Sequence, residues 1–316
     1  MGLYSIEPLS PYQIELIKRS TECDVVSIER NVFFDAIEEH PKIRSLICRD
    51  RDRISDILGV CPNIQFIYIV SVGVEKLPFG LLRDKGVIVA NAGGVNAEIM
   101  SQYAMAYILS QSARVCENLD NQRRRHWKKY QCVDDLSERK LLVVGAGHVG
   151  SMLAQKASVF GMRIVGIKNR VCPIAGFDKV VGLENLEEEL SDADFVVCAL
   201  PLTVTTSRLF NRDRFSLMKS TATFINISRG GLVDEVALVD ALNNGIIKSA
   251  VLDVFDKEPL DCDSPLWECR GLYVTPHSSG RLEGFLDAAI AQFVANYNAY
   301  LIGGSIPNKV DLNNGY

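Results

Sequence analysis

Leu141-Leu142-Val143-Val144-Gly145-Ala146-Gly147-His148-Val149-Gly150 is the stretch of this 316-residue chain from which its fold is predicted. Four apolar residues are typical of a buried strand, and the residues from Val149 onward are typical of an amphipathic helix. Between them, the first glycine permits a tight turn, the second lets the backbone approach a phosphate, and the third lets strand and helix pack closely. A Gly-x-Gly-x-x-Gly alone is a weak signal. In this strand–loop–helix setting it predicts a dinucleotide-binding site at a helix N-terminus.

The alternation of β-branched runs with amphipathic stretches continues along the whole chain and predicts parallel sheets covered by helices. The segment from Ala97 to about Arg125 is interpreted as one long helix between two such series. We therefore expect an α/β fold of two Rossmann-like domains, each a doubly wound parallel sheet, with a cleft between them. The expected substrate-binding, flavodoxin-like domain comprises residues 1–96 and 286–316, and the expected dinucleotide-binding Rossmann domain comprises residues 97–285. The predicted strands are 24–28, 43–48, 66–70, 87–90, 141–144, 163–167, 195–198, 223–226 and 249–252.

The residues after the strand that follows the glycine loop bear on the choice of cofactor. An NAD enzyme places an Asp or Glu there to accept hydrogen bonds from the ribose hydroxyls. This chain instead has Lys168-Asn169-Arg170, with two cations and an amide that suit a 2′-phosphate and no carboxylate to repel it. The sequence therefore predicts a preference for NADP(H). The alternative is that Lys168 and Arg170 are merely exposed and that NAD(H) is used.

Three polar residues that follow strands in the second half of the chain suit hydride transfer to a carbonyl. Imidazole is the side chain most often used as a general acid near neutral pH, so His277 is the candidate to protonate the alkoxide that such a transfer produces. Glu258 is the candidate carboxylate that holds this ring and stabilises its charged form. Arg229 supplies a planar, permanent cation that can grip a substrate carboxylate. Each residue alone would more often be structural, but together with the glycine loop they favour reduction of a 2-oxo acid.

Composition argues against several other classes of protein. The net charge of −5 gives no general attraction to nucleic acid or anionic membranes, and the basic run 123–129 is interpreted as a solvated helix end. Nine cysteines without a CxxC pair indicate reduced thiols, so we expect a cytoplasmic location. With four histidines and no His/Cys cluster, no metal site is expected. The N-terminus is too polar for a signal peptide, and no apolar run is long enough to span a bilayer.

From about residue 60 onward the chain resembles the D-isomer-specific 2-hydroxyacid dehydrogenases. Residues 310–316 are similar to the ending of the short glyoxylate/hydroxypyruvate reductase branch of that family. The motifs are spread over most of the chain and are specific as a set. The matching stretches are Val72-Gly73-Val74, 91–95, 145–150, 200–203, 226–235, 252–260, Pro265-Leu266-Trp267 and Thr275-Pro276-His277.

The resemblance implies NAD(P)H-dependent reduction of a small 2-oxo acid, such as glyoxylate or hydroxypyruvate, to the D-2-hydroxy acid. It implies that Arg229, Glu258 and His277 are the catalytic trio and that His277 donates the proton. It also implies a homodimer built around the long helix after residue 97, and substrate binding by Arg229, His277 and backbone N–H groups near Val72-Gly73-Val74. Asp253 is expected beside the nicotinamide. The full set of expected cofactor-binding residues is Gly145, Gly147, His148, Val149, Gly150, Lys168, Asn169, Arg170, Leu200, Pro201, Thr206, Ile227, Ser228, Arg229, Asp253 and His277.

Three positions depart from the usual pattern of the family. Gln102 stands where an acidic residue is common, which bears on the helix interface. His148 replaces a more usual arginine in the glycine loop, where it either contacts phosphate or faces solvent. Ser278-Ser279 follow the histidine where an apolar residue is common, which bears on the shape of the pocket. None of these changes removes a predicted catalytic group.

Two other functions stay open. A phosphoglycerate dehydrogenase-like enzyme would use the same residues, although the chain ends too soon for the added regulatory domain that many such enzymes carry. A dinucleotide-sensing, corepressor-like binding protein shares the fold and would bind partners without turnover. The intact trio and the acidic charge count against the second. A formate dehydrogenase fits less well, because formate oxidation needs no proton donor.

Overall fold

Parallel pairing joins the strands of both sheets in the computed structural model, which describes residues 2–35, 42–129 and 132–315. The chain divides into two units, Met1–Val95 with Leu282–Tyr316, and Asn96–Arg281. Within the described ranges, no helix has the length and apolar character needed to cross a membrane. The predicted α/β class with two parallel sheets is confirmed.

The first unit contains a five-stranded sheet with the order β2-β1-β3-β4-β5, which is the order of flavodoxin-like sheets. The C-terminal helix belongs to this unit because its aromatic face packs on the central strands. Phe293 and Tyr297 stack at 5.1 Å, and the Tyr68 hydroxyl donates to the Ala289 carbonyl at 2.9 Å. The elements are β1 (Leu3–Ser5), α1 (Pro11–Thr21), β2 (Val25–Ser27), α2 (Arg30–Asp35), β3 (Ser45–Cys48), α3 (Ile54–Val60), β4 (Phe66–Ile69), α4 (Phe79–Asp84), β5 (Ile88–Asn91) and α11 (Phe285–Leu301).

The second unit contains a seven-stranded sheet with the order β12-β11-β10-β9-β6-β7-β8. Counted from its first strand, this is the 3-2-1-4-5-6 order of a Rossmann sheet with one further strand at the edge. The strand order reverses between β6 and β9, where ligands bind in such sheets. The elements are α5 (Ala97–Ser112), α6 (Val115–Arg123), β6 (Lys140–Val144), α7 (His148–Ser158), β7 (Arg163–Ile167), β8 (Lys179–Val181), α8 (Leu186–Leu190), β9 (Phe195–Cys198), α9 (Arg212–Leu217), β10 (Thr223–Asn226), α10 (Glu235–Asn243), β11 (Ser249–Leu252) and β12 (Leu272–Val274).

The prediction of one long helix from Ala97 to about Arg125 is wrong. Helix α5 ends at Ser112 and α6 begins at Val115, because Arg114 adopts a left-handed backbone with φ of 55°. The Arg114 side chain stabilises the break by donating to the Cys132 carbonyl at 2.6 Å and to the Glu117 carboxylate at 3.1 Å. Neither Gly nor Pro marks this position, so the sequence carries no local signal for it.

A buried ion-pair network anchors the start of β6, the strand that leads into the glycine loop. Lys140 is 4% exposed, and its ammonium donates to the Glu189 carboxylate at 2.6 Å. Lys179 donates to the second oxygen of that carboxylate at 2.7 Å, and Asp192 contacts the Lys140 ammonium from the solvent side. Burial alone would raise the pKa of Glu189, but hydrogen bonds from Lys140 and Lys179 outweigh burial and lower this pKa. Removal of the carboxylate would leave a buried cation poorly compensated.

Glu189→Gln is expected to lower the free energy of unfolding by about 2–3 kcal/mol at pH 7, measured by urea denaturation. A carboxylate with a lowered pKa stabilises the fold above its unfolded pKa, and this contribution is lost as the pH falls through the folded pKa. The difference between variant and wild type should therefore start to shrink as the pH falls below about 4.5, and it should vanish only below the lowered folded pKa. Glu188→Gln, at an exposed position of the same helix, is the matched control. Equal stability of Glu189→Gln and wild type at pH 7 would contradict the role of the network.

Candidate active site

The predicted site residues of the second unit lie at one edge of its sheet, where the strands end. Gly145 follows β6, Arg229 follows β10, Asp253 follows β11 and His277 follows β12. Strands β10, β11 and β12 are neighbours in the parallel sheet, and adjacent strands lie about 4.8 Å apart. The polar groups that follow these three strands are therefore brought close together, and the glycine loop lies two strands beyond β10.

His277 and Glu258 form a direct side-chain pair. The distance from His277 Nδ1 to Glu258 Oε2 is 2.7 Å, and Glu258 Oε1 accepts from the Phe255 backbone N–H at 3.0 Å. An ionised carboxylate can only accept hydrogen bonds, so Nδ1 is the donor and Nε2 is left to exchange a proton with a ligand. The two side chains are 50% and 35% exposed, so the pair is accessible from solvent.

Asp253 holds the loop that carries His277. Its side chain is fully buried, and its carboxylate accepts from the Thr275 hydroxyl at 2.7 Å and from the Ser278 and Ser279 backbone N–H groups at 2.9 Å each. The His277 N–H donates to the Asp253 carbonyl at 2.8 Å. His277 has φ of +49°, a left-handed conformation that costs a non-glycine residue about 1–2 kcal/mol. The structure thus uses this carboxylate as a loop anchor, and its expected place beside a nicotinamide stays a prediction.

Asn226 and Gly230 hold the turn that carries Arg229. Asn226 does so through hydrogen bonds, and Gly230 does so through close backbone contact. The Asn226 side chain donates to the Arg229 carbonyl at 2.8 Å and accepts from the Ser228 N–H at 3.1 Å. A Cβ on Gly230 would lie 1.9 Å from the Phe255 carbonyl carbon, so this loop contacts the segment between Asp253 and Glu258 backbone to backbone. The half-buried Arg229 guanidinium donates to the Ser228 carbonyl at 2.7 Å. The close approach of these loops brings the turn of Arg229 near the segment that supports Glu258.

The three glycines of the loop after β6 differ in their surroundings. A Cβ on Gly145, whose φ is +117°, would lie 2.5 Å from the Ala199 backbone, and a Cβ on Gly150 would lie 2.3 Å from the Gly145 carbonyl oxygen. A Cβ on Gly147 would meet nothing within 4 Å. Gly147 precedes α7, which has no side-chain cap, so the N–H groups of its first turn border this open space. These features fit a pyrophosphate.

Two cationic side chains, Lys168 and Arg170, follow strand β7, the next strand after the glycine loop. Lys168 is half-buried, and Asn169 and Arg170 are exposed. Within the described part of the chain, the Lys168 and Arg170 side chains form no ion pair, and the end of this strand carries no carboxylate. His148, at the first position of α7, is exposed. The Lys168 and Arg170 cations suit an anion that reaches past the glycine loop.

Other expected cofactor-binding residues have side chains directed into the protein. Thr206 is 8% exposed, and its hydroxyl donates to the Pro201 carbonyl at 2.8 Å. Ile227 and Ser228 are 1% and 8% exposed, and the Ser228 hydroxyl donates to the Asn226 side chain at 3.2 Å. Leu200 and Pro201 are half-buried just after β9. A ligand at this edge would therefore meet the backbone at Thr206, Ile227 and Ser228 rather than their side chains.

Val72-Gly73-Val74, the expected carboxylate-binding backbone, follows β4 in the first unit. The Asn91 amide donates to the Val72 carbonyl at 2.7 Å, and Arg51 donates to the Gly73 carbonyl at 2.8 Å. The turn is therefore held by its carbonyl groups.

Sequence reasoning gave no role to Asn226, Thr275 or Tyr103. Asn226 is a polar residue that ends an apolar strand and is fully buried, and that position is a signal that could have been used. The Tyr103 hydroxyl lies 3.3 Å from the Asp253 carboxylate across a separation of 150 residues, which no local pattern reveals.

Comparisons with known proteins agree with this geometry. A family model described as D-isomer specific 2-hydroxyacid dehydrogenase, NAD binding domain, matches residues 105–279. A Klebsiella pneumoniae protein named glyoxylate/hydroxypyruvate reductase B is 33% identical over 83% of this chain and 84% of its own length. A Mycobacterium leprae protein named D-3-phosphoglycerate dehydrogenase is 28% identical over 87% of this chain and 52% of its own length. The chain thus spans about half the length of that relative.

Among solved structures, a D-isomer specific 2-hydroxyacid dehydrogenase from Xanthobacter autotrophicus, in complex with NADPH and MES, aligns with a TM-score of 0.84. It is 26% identical, and the alignment covers 100% of this chain and 99% of that one.

Gly230→Ala is expected to lower the free energy of unfolding by about 3 kcal/mol, because its Cβ would force the Phe255 backbone away. Gly147→Ala is the matched control, since its Cβ would meet open space and should leave stability within about 0.5 kcal/mol of wild type. Thermal unfolding of both variants measures the difference. Equal stability of the two variants would show that the loops after β10 and β11 separate freely.

Proposed function

Since the chain belongs to the D-isomer specific 2-hydroxyacid dehydrogenases, we propose that it reduces a small 2-oxo acid to the D-2-hydroxy acid with NADPH. The observation that carries the proposal is the 2.7 Å His277–Glu258 pair on the sheet edge that also holds the open glycine loop. A glyoxylate- or hydroxypyruvate-sized substrate is favoured by the relative named for those compounds.

The residues that would hold the cofactor follow the order of the strands. N–H groups at the start of α7 would bind the pyrophosphate in the space beside Gly147, and His148 would border the same phosphates. Lys168 and Arg170, after the neighbouring strand β7, would bind a 2′-phosphate. The backbone after β9 and β10 would line the path toward His277. When bound, the nicotinamide supplies the hydride.

The side chains of the trio would do three different things. Arg229 would hold the substrate carboxylate and polarise the carbonyl through its planar cation. His277 Nε2 would give its proton to the carbonyl oxygen as that oxygen gains negative charge. Glu258 would keep the imidazole oriented through Nδ1 and stabilise its charged form before the transfer. The backbone N–H groups of Val72-Gly73-Val74 are proposed as further ligands of the substrate carboxylate, on the strength of the family motif.

Assembly and location are proposed on separate grounds. Val115 and Leu119 lie one turn apart on α6 and are each 46% exposed, which supports a homodimer formed around α5 and α6. All nine cysteines are free thiols, which supports a reducing, cytoplasmic location.

A phosphoglycerate dehydrogenase-like activity is the second candidate, favoured by the Mycobacterium leprae relative. Phosphohydroxypyruvate, the 2-oxo acid with an added phosphate, separates the two candidates in a direct assay.

Purified protein is expected to oxidise NADPH faster than NADH with glyoxylate, hydroxypyruvate, pyruvate, phenylpyruvate or phosphohydroxypyruvate, followed by cofactor absorbance.

Lys168→Asp should reduce the NADPH-to-NADH ratio of kcat/KM by about 100-fold, because an anion replaces a cation beside the 2′-phosphate. Arg163→Asp, at an exposed cation at the opposite end of the same strand, is the control. An unchanged ratio in Lys168→Asp would remove Lys168 from the site. Cofactor binding without turnover of any oxo acid would instead favour a sensing protein.

His277→Asn is expected to lower kcat by at least about 100-fold while cofactor affinity stays within about twofold, since the lost group acts in the transition state. Glu258→Gln keeps a neutral acceptor for Nδ1 and should lower kcat less. Steady-state kinetics give kcat, and quenching of protein fluorescence gives the cofactor Kd. A kcat for His277→Asn close to that of wild type would contradict the assignment of the proton donor.

A further inference from the structure

Three oxygen atoms form a closed triangle beneath the His277 loop. The Tyr103 hydroxyl lies 3.3 Å from Asp253 Oδ1 and 3.3 Å from Ser278 Oγ, and Ser278 Oγ lies 3.4 Å from the same carboxylate oxygen. Tyr103 comes from the middle of α5, and Ser278 is the residue directly after His277. The triangle thus joins a long helix to the loop through a buried anion.

The Tyr103 and Ser278 hydroxyls add to the hydrogen bonds that stabilise the buried Asp253 carboxylate. A buried charge is costly unless donors surround it. The Thr275 hydroxyl and two backbone N–H groups already donate to Asp253, as described above. Three contacts join these oxygens, but only the Tyr103 and Ser278 hydroxyls carry a proton. At any moment one or both of these hydroxyls can donate to the Asp253 oxygen.

Building on the proposed function, we propose that the Tyr103 and Ser278 hydroxyls are positioning groups for the proton donor His277. They fix the Asp253 carboxylate, which in turn holds the Ser278 and Ser279 N–H groups at 2.9 Å. Those bonds keep the backbone of His277 in its left-handed conformation, with φ of +49° and Nδ1 facing Glu258. Because that conformation is strained, weaker anchoring lets the loop relax and the imidazole turn from its position.

An apolar side chain at position 278 could neither donate to Asp253 nor bond to Tyr103, so the arrangement depends on the Ser278 hydroxyl.

The test compares Tyr103→Phe, Ser278→Ala and the double variant, each of which removes only hydroxyl groups. Ser101→Ala is the matched control, because its hydroxyl is buried in the same helix but donates to the Glu98 carbonyl. Two readouts are needed. Amide hydrogen exchange at Ser278 and Ser279 is followed by NMR in cofactor-free protein, and kcat, KM and cofactor Kd are measured with the best oxo acid.

Each single variant is expected to accelerate exchange at the two amides about tenfold, as loss of one bond to a charged group implies. It should lower kcat about fivefold and leave KM and the cofactor Kd within about twofold. The fold-decrease in kcat of the double variant should be smaller than the product of the two single-variant decreases, since the two hydroxyls bond to each other. Ser101→Ala should change neither exchange at these amides nor kcat.

Unchanged exchange in both single variants would overturn the proposal, because the hydroxyls would then not hold the loop. Faster exchange with unchanged kcat would also overturn it, since the hydroxyls would be structural only. If wild-type protein turns over no 2-oxo acid, the proposed function fails. Amide hydrogen exchange at Ser278 and Ser279 then still shows whether the two hydroxyls hold the His277 loop.

Discussion

Parallel pairing of β10, β11 and β12 is the constraint on which the site depends, because it places the ends of three neighbouring strands at one edge. A residue that directly follows one of these strands is about 4.8 Å from its counterpart on the next, whatever the separation in sequence. Asp253 directly follows β11, and Arg229 and His277 each come three residues after the ends of the neighbouring strands β10 and β12. Only Glu258 has to be brought back to the edge by a loop, and the Phe255 N–H and the His277 ring hold it there.

Close backbone approach is the second requirement, and glycine meets it at three points of this edge. Gly145 lets the loop after β6 approach the segment after β9, Gly150 lets helix α7 pack on the end of β6, and Gly230 lets the loops after β10 and β11 touch. Gly147 is different, since a side chain there would point into open space rather than into protein. A Gly-rich loop therefore combines glycines required by packing with one whose absence of a side chain leaves space for a ligand. The sequence shows all of them as the same letter.

Sequence patterns located what depends on local periodicity and missed what depends on distant contacts. Four predicted strands, 163–167, 195–198, 223–226 and 249–252, match the structure, because each is a run of mostly apolar residues between polar turns. Strands β1 and β8 have three residues each and were missed, since such runs are too short for a periodic signal. The positions of Arg229 and His277 at the sheet edge were predictable because both residues come shortly after strands. The roles of Tyr103 and Asn226 were not, because each is defined by a hydrogen bond formed only in the folded chain.

The charges at this edge explain why a net charge of −5 says little about what the protein binds. Anions are favoured at two points, by Lys168 and Arg170 after β7 and by Arg229 after β10, two strands that lie three strand spacings or about 14 Å apart. Two carboxylates of the same edge are engaged, Asp253 by the loop it anchors and Glu258 by His277. An anionic ligand that reaches from β7 to β10 would thus meet cations after both strands. The local arrangement of charge therefore suits a phosphate-bearing cofactor and a carboxylate substrate at the same time.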